Sequence, residues 1–137
     1  MLDKSHPKWR DAEARLEREV IVWLTTVRGD GQPQSSPVWF RWDGDGFLVY
    51  SGPRTGKVAN IRADPQVSVH LNDDGTGGDI VTMEATAQIT ADPVGEHDSA
   101  YVDKYRKRIA DLGYDPERFA REYSVALRIV PSRARLW

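Results

Sequence analysis

Three β-rich segments follow one another within residues 20–51 with only short turns between them, and no other feature narrows the fold as much. Residues 20–27 are rich in β-branched side chains and run into Arg28-Gly29-Asp30-Gly31-Gln32-Pro33, which has the composition of a turn. In residues 34–42, Val38, Phe40 and Trp42 fall on one face and Pro37, Trp39 and Arg41 on the other, as a period of two requires. Asp43-Gly44-Asp45-Gly46 then turns the chain into a third strand, residues 47–51. Parallel pairs need crossovers of a dozen or more residues, so these connections disfavour parallel α/β winding and point to antiparallel neighbours.

The remaining elements fit around this meander. Trp9, Ala12 and Leu16 are spaced three and four apart, which predicts an amphipathic opening helix over residues 7–19 with Pro7 at its first position. Residues 57–63 read as a two-turn helix stopped by Asp64-Pro65, and residues 67–72 as a fourth strand. Residues 80–90 alternate most cleanly, with Val81, Met83, Ala85, Ala87 and Ile89 against Thr82, Glu84, Thr86, Gln88 and Thr90. Val94, Tyr101, Tyr105, Ile109 and Leu112 mark a helix ending near Gly113, and Asp115-Pro116 supplies the N-cap and first residue of a short further helix. Residues 124–130 form the last strand. The expected fold is mainly β, a six-stranded antiparallel split barrel with peripheral helices, in one domain spanning residues 1–137.

Composition removes several function classes. There is no cysteine, hence no disulfide, thiolate zinc site or cysteine nucleophile. His6, His70 and His97 lack metal-ligand spacing, so no metal is expected. The charged N-terminus and the absence of a long apolar run argue against a signal peptide or membrane span and make the cytoplasm the expected location. A net charge of −2 provides no field for nucleic acid, which disfavours an oligonucleotide-binding barrel despite five tryptophans.

Two stretches carry candidate chemistry. Ser51, Arg54, Thr55 and Lys57, with Asn60 one turn later, sit among glycines where a strand gives way to a helix. That composition suits a phosphate, and equally a solvated polar loop capped by Thr55. The glycine–lysine spacing is not that of a Walker A loop. In Ser35-Ser36-Pro37-Val38-Trp39, a proline inside a strand marks an edge or an opening of the sheet, against which a planar ligand could lie; alternatively Trp39 covers the opening helix.

The succession Trp23-Leu24-Thr25-Thr26, Asp30-Gly31-Gln32-Pro33, Ser36-Pro37-Val38-Trp39, Lys57-Val58-Ala59-Asn60-Ile61 and Asp64-Pro65-Gln66-Val67 resembles the pyridoxamine 5′-phosphate oxidase-like split-barrel family. Within it, the pattern resembles the actinobacterial branch that uses the deazaflavin coenzyme F420. The likeness runs from about residue 20 to residue 90, with the closing strand agreeing more loosely.

The resemblance implies an F420-dependent reductase that passes hydride to a small electron-poor molecule such as an enone, quinone or bilin. An FMN-dependent enzyme or a non-catalytic cofactor or tetrapyrrole binder of the same fold are the alternatives. It places the cofactor phosphate on Ser51, Arg54, Thr55, Lys57 and Asn60, and the ring along Pro37, Val38 and Trp39. It also implies a homodimer with sites at the interface. Trp137 is expected to reach the partner's ring, since an exposed terminal tryptophan has little other reason to exist. Enzymes converting vitamin B6 carry a C-terminal Arg-Leu-His pattern; this chain ends Arg133-Ala134-Arg135-Leu136-Trp137, so B6 activity is not expected.

Overall fold

Closure of the sheet turns on one residue, Phe40. A computed structural model describes residues 2–90 and 98–137. Its elements are α1 (Trp9–Arg18), β1 (Ile21–Val27), β2 (Pro33–Trp39), β3 (Arg41–Trp42), β4 (Phe47–Ser51), α2 (Gly56–Ala63), β5 (Gln66–His70), β6 (Val81–Thr90), α3 (Ser99–Asp111), α4 (Pro116–Glu122) and β7 (Val125–Leu136). All strand pairs are antiparallel, in the order β2-β1-β5-β6-β7-β4-β3.

The two end strands, β2 and β3, are consecutive in the chain with only Phe40 between them. Joining the ends of a sheet covalently forces it to curl on itself. The described residues therefore hold seven strands, not six, because residues 34–42 are not one strand. The first part pairs with β1 and the second with β4, at opposite ends of the sheet.

At the break, Phe40 has left both ladders, and α3 satisfies its backbone. Its N–H donates to the Tyr105 hydroxyl at 2.8 Å, and its carbonyl accepts from Lys104 Nζ at 2.9 Å. The Lys104 ammonium also lies 3.8 Å from the Phe40 ring centroid. A buried strand break without such partners would leave two orphaned polar groups.

The closing strand is longer than expected. A reading that stops before Pro131 misses its second half, because proline cannot donate to a ladder. β7 instead continues to Leu136 through a bulge: Ala85 pairs with Pro131 and Glu84 with Arg133, leaving Ser132 unopposed. The opening helix starts at Trp9 with Lys8 as N-cap, so Pro7 precedes it. At α4, Asp115 accepts from Arg118 N at 2.7 Å and Pro116 is the first helical residue, as expected. Val94 and His97 lie outside the described residues.

Two apolar clusters result. One fills the barrel and is closed by Trp9, Ala12 and Leu16 of α1. Trp42 covers that helix, meeting Trp9 edge-on at 6.1 Å and donating from Nε1 to Glu13, the role alternatively considered for Trp39. The second cluster lies outside the barrel, where Tyr101, Tyr105, Ile109 and Phe119 of α3 and α4 pack on Tyr50 and Trp39. β4 is consequently buried on both faces. Ile89, read as inward from its periodicity, is 39% exposed.

Candidate functional site

The seam where the curled sheet meets itself is not hydrogen bonded, and a cavity of about 340 Å³ opens there. Pro37, Val38 and Trp39 of β2 form one side, Tyr50 and Ser51 of β4 another, and Thr55 and Lys57 at the start of α2 the mouth. Tyr101, Leu112, Phe119 and Tyr123 complete the wall from α3, α4 and their flanks.

The prolines explain why β2 leaves this seam open. Pro33 and Pro37 have the same parity, and with no N–H to give they must turn their backbone edge away from β1. The free edge is thereby blunted for pairing and left to line the cavity.

Polar groups gather at the mouth. Ser51 Oγ lies 2.9 Å from Thr55 Oγ1, and both hydroxyls donate toward the Gly52 carbonyl. Thr55 is the N-cap residue of α2, yet its hydroxyl does not cap the helix. The first-turn N–H groups of α2 therefore keep their donor capacity and the positive end of the helix dipole. Lys57 is half-buried and forms no hydrogen bond or ion pair among the described residues; burial lowers its pKa below the ordinary lysine value.

Six of the nine residues expected at a site thus come together: Pro37, Val38, Trp39, Ser51, Thr55 and Lys57. Arg54 is exposed on the loop and does not line the cavity. Asn60 is buried on the inner side of α2, where its amide donates to Thr26 Oγ1 at 2.9 Å and Gln34 Oε1 at 3.0 Å. Trp137, 56% exposed, follows the far end of the 12-residue strand whose Val125 pairs with Ser51. Its backbone is nevertheless tied to Ile80.

Sequence reasoning missed the aromatic wall. Trp39 stacks on Tyr105 at 4.7 Å and on Phe119 at 5.7 Å, and Phe119 stacks on Tyr123 at 4.5 Å. The helical spacing of Tyr101 and Tyr105 signalled a buried stripe, but nothing in it told which surface the stripe would cover. Behind the wall, the buried Asp98 carboxylate caps α3, accepting from Tyr101 N, the Tyr50 hydroxyl and Arg41 Nε. Among the described residues, no group of three or more potential ligands could hold a metal ion, and no helix is long and apolar enough to cross a membrane.

The family model described as pyridoxamine 5′-phosphate oxidase matches residues 9–137. The chain belongs to that family. Among solved structures, an F420 reductase superposes with a TM-score of 0.69 at 26% identity, covering 90% of this chain and 94% of that one. An FAD-binding protein from Mesorhizobium loti superposes at 0.66 with 20% identity, covering 91% and 88%. HutZ, the heme storage protein from Vibrio cholerae, superposes at 0.66 with 16% identity, covering 93% and 92%. The last two share the fold; their identity carries nothing further.

Proposed function

We propose that this protein binds a phosphate-bearing tricyclic redox cofactor in the seam cavity, the deazaflavin F420 ahead of FMN, and reduces an electron-poor small molecule with it. The observation that carries this reading is Lys57. A half-buried ammonium without a carboxylate partner, at the mouth of a cavity walled by Pro37, Val38, Trp39, Phe119 and Tyr123, suits a ligand that is anionic at one end and flat and apolar at the other.

The residues present fit such a group. The cavity of about 340 Å³ lies at the lower end of the roughly 300–1,000 Å³ typical of ligand pockets, enough for the ring portion. Lys57 and the first-turn N–H groups of α2 would hold the phosphate, with the Thr55 and Ser51 hydroxyls as further donors. Pro37 and Val38 would lie along the ring and exclude water from its face. When bound, the reduced cofactor supplies a hydride; the chain's work is to bind and orient.

The F420 preference rests on the likeness to the F420 reductase, at 26% identity, and on the sequence pattern from Trp23 to Val67. A second copy of the chain would cover the open side of the seam.

Equilibrium titration of the purified protein with F420, FMN and heme side by side tests the assignment. Tightest binding of F420, followed by turnover of a quinone or enone, is expected; failure of both F420 and FMN to bind would overturn it. Sedimentation tests the homodimer, and a folded monomer at micromolar concentration that still binds cofactor fully would refute a shared site.

A further inference from the structure

Past Lys57, the polar side chains that line the seam cavity are engaged, with one buried exception. Ser51 and Thr55 share a hydrogen bond and turn to the Gly52 carbonyl, and the Tyr50 hydroxyl donates to Asp98 Oδ2 at 2.8 Å. Tyr101 lines the same cavity with 1% of its surface exposed, yet its hydroxyl makes no hydrogen bond or ion pair among the described residues. Every buried side-chain nitrogen or oxygen among those residues has a partner. The accessible sliver of Tyr101 is therefore its hydroxyl oxygen, and the space it reaches is the cavity.

The phenol is held rigidly. Tyr101 sits in the first turn of α3, where the Asp98 carboxylate accepts from its backbone N–H at 3.1 Å. Its ring meets Tyr50 edge-on at 4.6 Å and tilts against Tyr105 at 4.9 Å and Phe119 at 6.0 Å. Burial, with Tyr105, Tyr50 and Asp98 nearby, holds its pKa far above the ordinary tyrosine value, so it stays a neutral donor. A buried O–H forfeits the hydrogen bonds it had in water unless a bound molecule brings an acceptor. The Tyr123 hydroxyl also has no partner among the described residues, but that side chain is half-buried and water can serve it.

We propose that the Tyr101 hydroxyl is a catalytic donor to the carbonyl oxygen of the substrate, and that the substrate is accordingly a conjugated carbonyl compound, an enone or a quinone. The proposal rests on the seam being the redox site. With Pro37 and Val38 along the cofactor ring, Tyr101 comes from the facing wall, where a molecule stacked on that ring would lie. Tyr101, Leu112, Phe119 and Tyr123 of that wall are all uncharged, and the Asp98 carboxylate stands behind them, so a neutral carbonyl fits where a carboxylate would be repelled.

Hydride addition to an enone forms a C–H bond at the β-carbon, moves the C=C electron pair toward oxygen and gives an enolate. In a quinone the same electron pair gives a hydroquinone anion. The hydride comes from a reduced deazaflavin or flavin, which is oxidised. In both reactions negative charge gathers on the oxygen that Tyr101 faces, and a fixed donor in a site poor in water binds that charge more strongly than it binds the starting carbonyl. Because its pKa is raised, Tyr101 keeps its own proton, and water supplies the one that completes the product.

Tyr101→Phe in the full chain tests it, with reduced F420 as reductant, or reduced FMN if only FMN binds, and cyclohexenone and menadione as acceptors. Loss of one oxyanion donor should lower kcat about a hundredfold for both, with KM nearly unchanged. Cofactor affinity and the urea midpoint should stay native, because the hydroxyl has no partner within the fold. Infrared spectra of cyclohexenone bound beside the oxidised cofactor should show its carbonyl stretch at lower frequency in the native protein than in Tyr101→Phe. Tyr123→Phe should leave kcat close to native. A native kcat in Tyr101→Phe, or the same carbonyl frequency in both proteins, would overturn the donor while leaving the cofactor reading in place. A loss of cofactor affinity that matches the loss of kcat would overturn it by assigning the hydroxyl to the cofactor, and a lowered urea midpoint by assigning it to the fold. Failure of both F420 and FMN to bind the native protein would overturn the two readings together.

Discussion

The two walls of the seam cavity are built on opposite principles. The wall from β2 and α2 comes from residues 37–57 and leaves donors unused: among the described residues the Lys57 ammonium has no partner and no side chain caps the first turn of α2. The wall from α3 and α4 comes from residues 101–123 and, the Tyr101 and Tyr123 hydroxyls apart, spends its chemistry on itself. Tyr101, Tyr105 and Phe119 are buried, and the Tyr105 hydroxyl bridges Phe40 and Val20. Substitutions in the first wall should therefore cost binding, and those in the second stability.

The largest effect should come from Phe119→Ala. Phe119 is 2% exposed and stacks on Trp39 and Tyr123, so the cavity left behind should destabilise the fold by about 3–5 kcal/mol in urea unfolding. A loss below about 1 kcal/mol would mean that this wall is not the packed partner of β2.

Next comes Lys57→Ala, acting on the other wall. Loss of a charge-assisted contact to a partly desolvated phosphate should weaken F420 binding by about 1.5–3 kcal/mol, roughly tenfold to a hundredfold, with the urea midpoint unchanged. High salt should shrink the difference, since screening already weakens the native contact. Because burial lowers the Lys57 pKa, affinity should begin to fall at a lower pH than an ordinary lysine would allow. Equal affinities of the two proteins at low salt would break the comparison.

Tyr105→Phe should fall between the walls. It keeps the ring stacked on Trp39 but orphans the Phe40 N–H, for a cost of about 1–3 kcal/mol in stability. It should also loosen the strand break that presents Trp39, so cofactor affinity should drop as well. Unchanged binding would show that the break is held by Lys104 alone.

The smallest effect is a pH dependence at Lys104, whose pKa burial pushes down to about 8 from the ordinary 10.5. Between those values the unfolded chain binds a proton that the folded chain does not, so stability should rise with pH across that window. Tyr101 and Tyr105 act oppositely: burial raises both pKa values, so above about pH 10 the unfolded tyrosines ionise first and stability falls. Urea unfolding at pH 7.5 and 9.5 should show the rise in the native protein and its loss in Lys104→Met. A rise that persists in the variant would assign it to other groups.

Period-two alternation and glycine-bearing turns made most strands legible, because a strand's faces follow from neighbours two residues apart. The hairpin at Asp43–Gly46 is an example: Gly44 adopts φ +98°, and a Cβ on Gly46 would come within 2.5 Å of the Ile129 carbonyl. The polar mouth from Ser51 to Lys57 was legible for the same local reason. Asn60 shows the limit, since its position one helical turn beyond Lys57 could not reveal that its amide turns inward to Thr26 and Gln34.

The sequence by itself therefore determined the antiparallel class, the local elements and the cluster of donors before α2, all of which depend on residues near one another in the chain. The strand break at Phe40, the bulge at Ser132 and the aromatic wall were decided only by the tertiary structure. Each depends on partners far away in sequence: Tyr105 lies 65 positions from Phe40, and Glu84 is 48 positions from Ser132. A strand that ends, bends or bulges is chosen by which distant groups accept its unpaired N–H and carbonyl, and no local pattern records that choice.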